Sequence, residues 1–398
     1  MGVASRVGHL RRRVPALSGE VLVTLLIIGL VGDILRRLLV GIIGGPYLAS
    51  VVIEGVTIGL AYGLAGIGLS MTYSILSFAN FAHGDTMTIG AMSGWSVAYL
   101  IGGIGTATLG ELVLLDANPG LSITASFGVI IVGVIAAGVL TAGLTVLVDR
   151  LVYRPMRRAD GIPLLIASIG VALAFRYLAA FFYGTDVMGI TQPSGKLALL
   201  RVDGTTGIGV LTANQGGSEL MTAGEVAGFI ALGSTAAPTG TILSVTLHSV
   251  VLIVVASVLM LAVHLLLQRT KMGKAMRAMA DNKPLAQVTG IPTERVIRLT
   301  WIIGGALAGI AGFLIVLKSG TVSFNFGWRI LLFIFAAVIL GGIGSVYGAI
   351  AGGLVIGIVD SVAIIWLPSG LTKVAAFAVL ILVLIVRPEG IFRGVTTA

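Results

Sequence analysis

A chain of 398 residues that is 57% hydrophobic and only 10% charged lacks the polar surface of a soluble domain, whose charged share is about 25%. Its net charge of +9 forms no continuous basic stripe of the kind nucleic acid needs; the cations flank apolar runs, as the positive-inside rule expects of a membrane protein. It contains no cysteine, which excludes disulfides, thiolate metal sites and cysteine nucleophiles.

In chain order, Arg11, Arg12 and Arg13 precede the apolar run 21–31 and imitate a secretory signal. Apolar sequence resumes beyond Arg36 and Arg37 with no clear small-residue cleavage site, so this stretch reads as an uncleaved first span over 20–43. A span needs about 20 mostly apolar residues. Further candidates follow at 50–75, 86–104, 124–148, 163–183, 243–268, 297–317, 329–346, 347–366 and 371–386. Asp33, Arg36 and Arg37 interrupt the first, and only glycine-rich sequence separates the eighth from the ninth. The expectation is an all-α polytopic membrane protein of eight to ten spans, a single transmembrane domain over 19–398 after an N-terminal segment 1–18.

Charge sets the direction. Four segments, 1–18, 150–158, 269–298 and the tail from Arg387, hold 17 of the 25 Lys and Arg. With ten spans and both termini inside, all four fall in the cytoplasm. The loops assigned outside are acidic or mixed, with Glu111 and Asp116, then Asp186, Asp203, Glu219 and Glu225 against Lys196 and Arg201. The stretch 184–242, rich in Gly, Thr and Ser, is too long for a simple connection. It reads as a small extracytoplasmic excursion that includes a hairpin.

Glycine, 57 of 398 residues, recurs at intervals of four: Gly55, Gly59 and Gly63; Gly344, Gly348 and Gly352; Gly305 and Gly309. Residues four apart share a helix face, so each stripe makes a flat seam for a neighbouring helix. Tight packing is the plain reading and a pathway lining the other. The two glycine-rich blocks loosely resemble each other, as duplicated transporter halves do.

Two stretches carry chemistry. The first, 77–86, sets Asn80, His83 and Asp85 between strongly apolar segments. Polar groups at membrane depth are costly and face a cavity or a partner; the alternative is an interfacial connection in which Asp85 caps a helix beginning at Thr86. His9, His83, His248 and His264 are too scattered for a metal site. The second stretch, 273–292, interleaves Ala278, Ala280, Leu285, Ala286 and Val288 with charges. It suits one or two short helices at the membrane face that present a knob to a partner.

Asn80-Phe81-Ala82-His83-Gly84 followed by Asp85 resembles the signature of LIV-type branched-chain amino-acid permeases, the membrane subunits of ATP-binding-cassette importers. The second stretch is similar to that family's coupling loop, about 269–297 here, with Ala278, Ala280 and Asp281 followed by Gly290 and Ile291. The resemblance continues through Tyr153-Arg154-Pro155, 164–170, 340–345 and Arg387-Pro388-Glu389-Gly390-Ile391. It implies a second related permease chain, two cytoplasmic ATP-binding subunits and an external substrate-binding protein. No G-x-x-x-x-G-K-[ST] occurs, so the chain carries no cofactor of its own and ATP is used by the partner subunits. The pathway candidates are Asn80, His83, Asp85, Glu54, Arg176 and Asp360. Rival cargoes are urea, short amides and sugars. An ion-coupled secondary transporter would need buried carboxylates in facing helices, for which Glu54 and Asp360 alone qualify. An intramembrane enzyme finds no G-x-S-x-G, H-E-x-x-H or paired-Asp pattern.

Overall fold

The computed structural model describes residues 19–392 except 106, 114, 116–120, 122–125, 158–160, 192–194, 203–204 and 212–239. The basic segment 1–18 lies outside the described residues, as do Asp116, Arg158, Asp203, Glu219 and Glu225.

Helices dominate: α1 (Gly19–Leu39), α2 (Gly45–Leu76), α3 (Ala82–Gly103), the short α4 (Leu109–Val113), α5 (Phe127–Val148), α6 (Gly161–Tyr183), α7 (Leu247–Arg269), α8 (Lys271–Asp281), α9 (Lys283–Val288), α10 (Thr293–Ser319), α11 (Phe326–Gly341), α12 (Val346–Val362) and α13 (Thr372–Val386). Among the described residues, seven helical segments are long and apolar enough to cross a membrane, so the fold is an all-α polytopic membrane protein. Three of the ten expected spans fall short for visible reasons. Helix α1 carries Glu20, Asp33, Arg36 and Arg37. Helix α3 has His83, Asp85 and several Gly, Ser and Thr residues. Helix α11 has 16 residues, too few for a bilayer core about 30 Å thick at 1.5 Å per residue.

The breaks follow local chemistry. Pro46 opens α2 at a position where no amide hydrogen is needed, and the left-handed Ser77 (φ 58°) ends it. The Thr246, Thr270 and Asn282 side chains accept from the amides of Ser249, Gly273 and Leu285. These three caps start α7, α8 and α9 in succession. The sixth span was expected from 243, but Gly240–Thr246 is strand β4. It pairs antiparallel with β2 (Lys196–Val202), which also pairs antiparallel with β3 (Thr205–Leu211). A second ladder joins β1 (Met188–Gly189) to β5 (Thr321–Val322), and Trp95 Nε1 donates to the Ile190 carbonyl beside it, 3.1 Å away.

The core lies where α2, α3 and α10 meet, flanked by α5, α11 and α12. The outer helices α5, α6 and α13 turn Val139, Phe181 and Ile385 outward, 65%, 81% and 72% exposed, a surface that suits lipid. The glycine stripes are packing seams. A Cβ on Gly59 would sit 2.8 Å from the Gly353 oxygen, and one on Gly357 would sit 2.4 Å from Gly59 Cα, so α2 and α12 touch backbone to backbone. Gly305 and Gly309 receive Thr145 and Thr141 of α5, and Gly348 and Gly352 meet the α11 backbone at Gly341 and Ala337. Each long helix, α2 and α10, is followed by a break and then a helix; the third helix of each trio, α5 or α12, packs on the long helix of the other.

Candidate functional site

The first group of residues lies at the break after α2. Its helix begins at Ala82, not Thr86, so Asp85 stands inside the first turn of α3 and caps nothing. The break is also deep rather than interfacial. The His83 Nε2–H donates to the Ala65 carbonyl at 2.9 Å; Ala65 precedes the end of α2 by eleven residues, about 16 Å along its axis. The Phe81 amide donates to Ser168 Oγ at 3.1 Å, and Asn80 Oδ1 accepts from the Ala82 amide and, at 3.3 Å, from Tyr153 Oη. Non-helical backbone at that depth persists because protein, not lipid, satisfies it.

Asp85, fully buried, and Arg176 form a bidentate pair at 2.8 and 3.1 Å. The guanidinium also stacks on Trp328, 4.7 Å from the ring centre. The start of α11 meets the start of α3 at the same place. A Cβ on Gly327 would lie 1.8 Å from the Gly84 oxygen, and the Gly327 amide donates to Thr88 Oγ1 at 2.9 Å. Two helices thus begin within the protein interior, nose to nose.

The second group lines a cavity of about 450 Å³. It gathers Glu54 and Thr57 from α2, Ser249 from α7, Lys318 from the last turn of α10, and Asp360 and Ser361 from the end of α12. Glu54 and Lys318 form an ion pair, whereas buried Asp360 Oδ1 has no hydrogen-bond partner. Glu54 and Asp360 therefore share one site, while Arg176 belongs with Asp85, away from it. Lys318 was missed in the sequence because it closes an apolar run and looks like any flanking cation.

The third group is at the opposite end of the bundle, since α8 and α9 join the far ends of α7 and α10. Helix α8 buries Gly273, Met276 and Met279. Ala280 faces inward beside Met71, Ser74 and Ile75, and Ala278 and Ile291 are half-buried. Asp281 and Gly290 are exposed. The outward knob is apolar: Leu285 and Val288 of α9 are 57% and 82% exposed. Gly290 (φ +82°) makes the left-handed turn that ends this unit.

Helices that begin in the protein interior, a charged cavity at one end and an apolar knob at the other are features that suit a membrane transport protein. Residues 51–384 match the family described as branched-chain amino acid transport system, permease component, and the chain belongs to that family. It is a multi-pass protein of the cell membrane, and the family is one of transport permeases, not of enzymes. The chain is 30% identical over 347 residues to the high-affinity branched-chain amino acid transport system permease protein LivH of Salmonella typhimurium, covering 87% of this chain and 95% of that one. The corresponding BraD of Pseudomonas aeruginosa is 28% identical over 339 residues, 85% and 94% of the two chains. A probable LivH of Methanocaldococcus jannaschii is 38% identical over 144 residues, 34% and 45%. No solved structure matches the chain.

Proposed function

We propose that this chain is the translocation subunit of an ATP-driven importer for branched-chain amino acids; its relatives are named as permease proteins of branched-chain amino acid transport systems. It works with a second related permease, two cytoplasmic ATP-binding subunits and an extracytoplasmic substrate-binding protein. The observation that carries the reading is the α8–α9 unit: an apolar knob at the end of the bundle opposite the charged cavity. Arg150, Arg154, Arg157, Arg269, Lys271 and Lys274 cluster at that end by helix direction, which supports a cytoplasmic assignment. Both termini belong on the same side: α1 ends and α13 begins at the cavity end, where Asp33 accepts from Trp366 Nε1. The chain itself then hydrolyses nothing. ATP-driven closure of the partner subunits presses on α9, and α8, seated against the end of α2, passes the movement inward.

The test uses the complete assembly in proteoliposomes. ATP should drive leucine uptake, and urea, short amides and sugars should not compete. Replacing Val288 with Glu should abolish that uptake while the subunit still inserts and melts as wild type. Uptake driven by an ion gradient without ATP, or unaffected by V288E, defeats the proposal.

A further inference from the structure

The charged cavity has a composition that the coupling mechanism does not use. A carboxylate oxygen withdrawn from water is costly unless paired, yet Asp360 Oδ1 is buried without a partner. One helix away Glu54 is already engaged by Lys318. Two carboxylates and one ammonium therefore line one cavity, which offers a ligand both anionic and cationic partners. Because α2 and α12 touch backbone to backbone at Gly59, Gly353 and Gly357, the two acids are held on one rigid unit. Lys318 comes from a different helix and stands on the C-terminal turn of α10.

We infer that this cavity is a binding site for a free α-amino acid in its zwitterionic form. The site deepens the proposed import function and rests on it. The ligand ammonium brings three donors to the Asp360 and Glu54 carboxylates, and because the ligand carboxylate enters with it, the net charge of the cavity is unchanged. The ligand carboxylate goes to Lys318, assisted by hydroxyls such as Thr57 and Ser249. Val51, Ile53 and Ile364 line the same space and present an apolar wall that accepts a short branched side chain. A volume of about 450 Å³ is within the range of about 300–1,000 Å³ usual for small-molecule sites. Lying at the end opposite α8–α9, the site receives cargo before the helices rock.

The chain has no cysteine, so Ser369→Cys at the exposed rim of the cavity introduces the sole thiol of this subunit. Maleimide labelling of that thiol is followed in the full assembly. Millimolar leucine should slow labelling, while 4-methylpentanoate, which lacks the ammonium, and 3-methylbutylamine, which lacks the carboxylate, should protect at least about tenfold less well. In that background, Asp360→Asn should weaken leucine protection about tenfold or more. Lys318→Gln should erase the advantage of leucine over 3-methylbutylamine. Exchanging the pair, E54K with K318E, restores the ion pair but should not restore leucine protection, which separates ligand binding from mere fastening.

Equal protection by all three compounds overturns the site, and so does protection by sodium as strong as by leucine. The comparison of compounds needs no charge variant, so it stands even where one fails to fold. An assembly with wild-type permease that imports urea or a sugar and no amino acid overturns the proposed function and this site together. Leucine import with no differential protection overturns the site alone.

Discussion

Two of the charge sets borne by the helices are built oppositely. Asp85 and Arg176 make a closed unit: the carboxylate is fully buried, both oxygens are engaged, and the guanidinium is stacked on Trp328. Glu54, Lys318 and Asp360 make an open one: they line a cavity, the Glu54 side chain is 49% exposed, and one Asp360 oxygen is unpaired. The same residue types thus serve two ends. A saturated pair fastens helices, whereas charges that line a cavity leave room beside them.

The largest effect that sharpens this contrast is on the closed pair. Asp85→Ala strands the Arg176 guanidinium and should cost about 3–5 kcal/mol, read as a large fall in the detergent melting temperature. Replacing both partners with leucine should recover most of that loss, because an apolar pair of similar volume is often neutral. Gly353→Leu forces a side chain into the α2–α12 seam that carries Glu54 and Asp360. It should destabilise by about 1–3 kcal/mol in the same assay and lower uptake as well. The smallest effect is expected from Glu54→Gln, under about 1 kcal/mol because the Glu54 side chain is half in solvent, with uptake reduced all the same. A Glu54→Gln variant that melts as early as Asp85→Ala would erase the distinction between the two sets.

The polytopic class was legible from hydropathy, because apolar length and lipid thickness are one-dimensional quantities. So was the α8–α9 unit, whose caps at Thr270 and Asn282 are local. Glycine spacing announced seams at Gly55, Gly59 and Gly63 but named no partner, since any helix with small residues would fit. The place of Asp85 stood between two readings, membrane depth and interface, because nothing local says whether protein closes over a polar stretch between apolar runs; its burial against Arg176 agrees with the first. Arg176 and Asp360 were both marked as polar groups within spans, yet their roles differ because 91 residues of chain bring Arg176 back to Asp85.

By itself, then, the amino-acid sequence determined residence in a bilayer, the family signature and the amphipathic α8–α9 segment, all set by composition and short-range pattern. Tertiary structure alone decided which charges meet. Lys318 finds Glu54 across 264 residues, Asp360 is left short of a partner, and the starts of α3 and α11 meet in the interior. Those outcomes depend on which helix packs against which, and that choice is made by backbone-close glycine contacts between segments far apart in the chain.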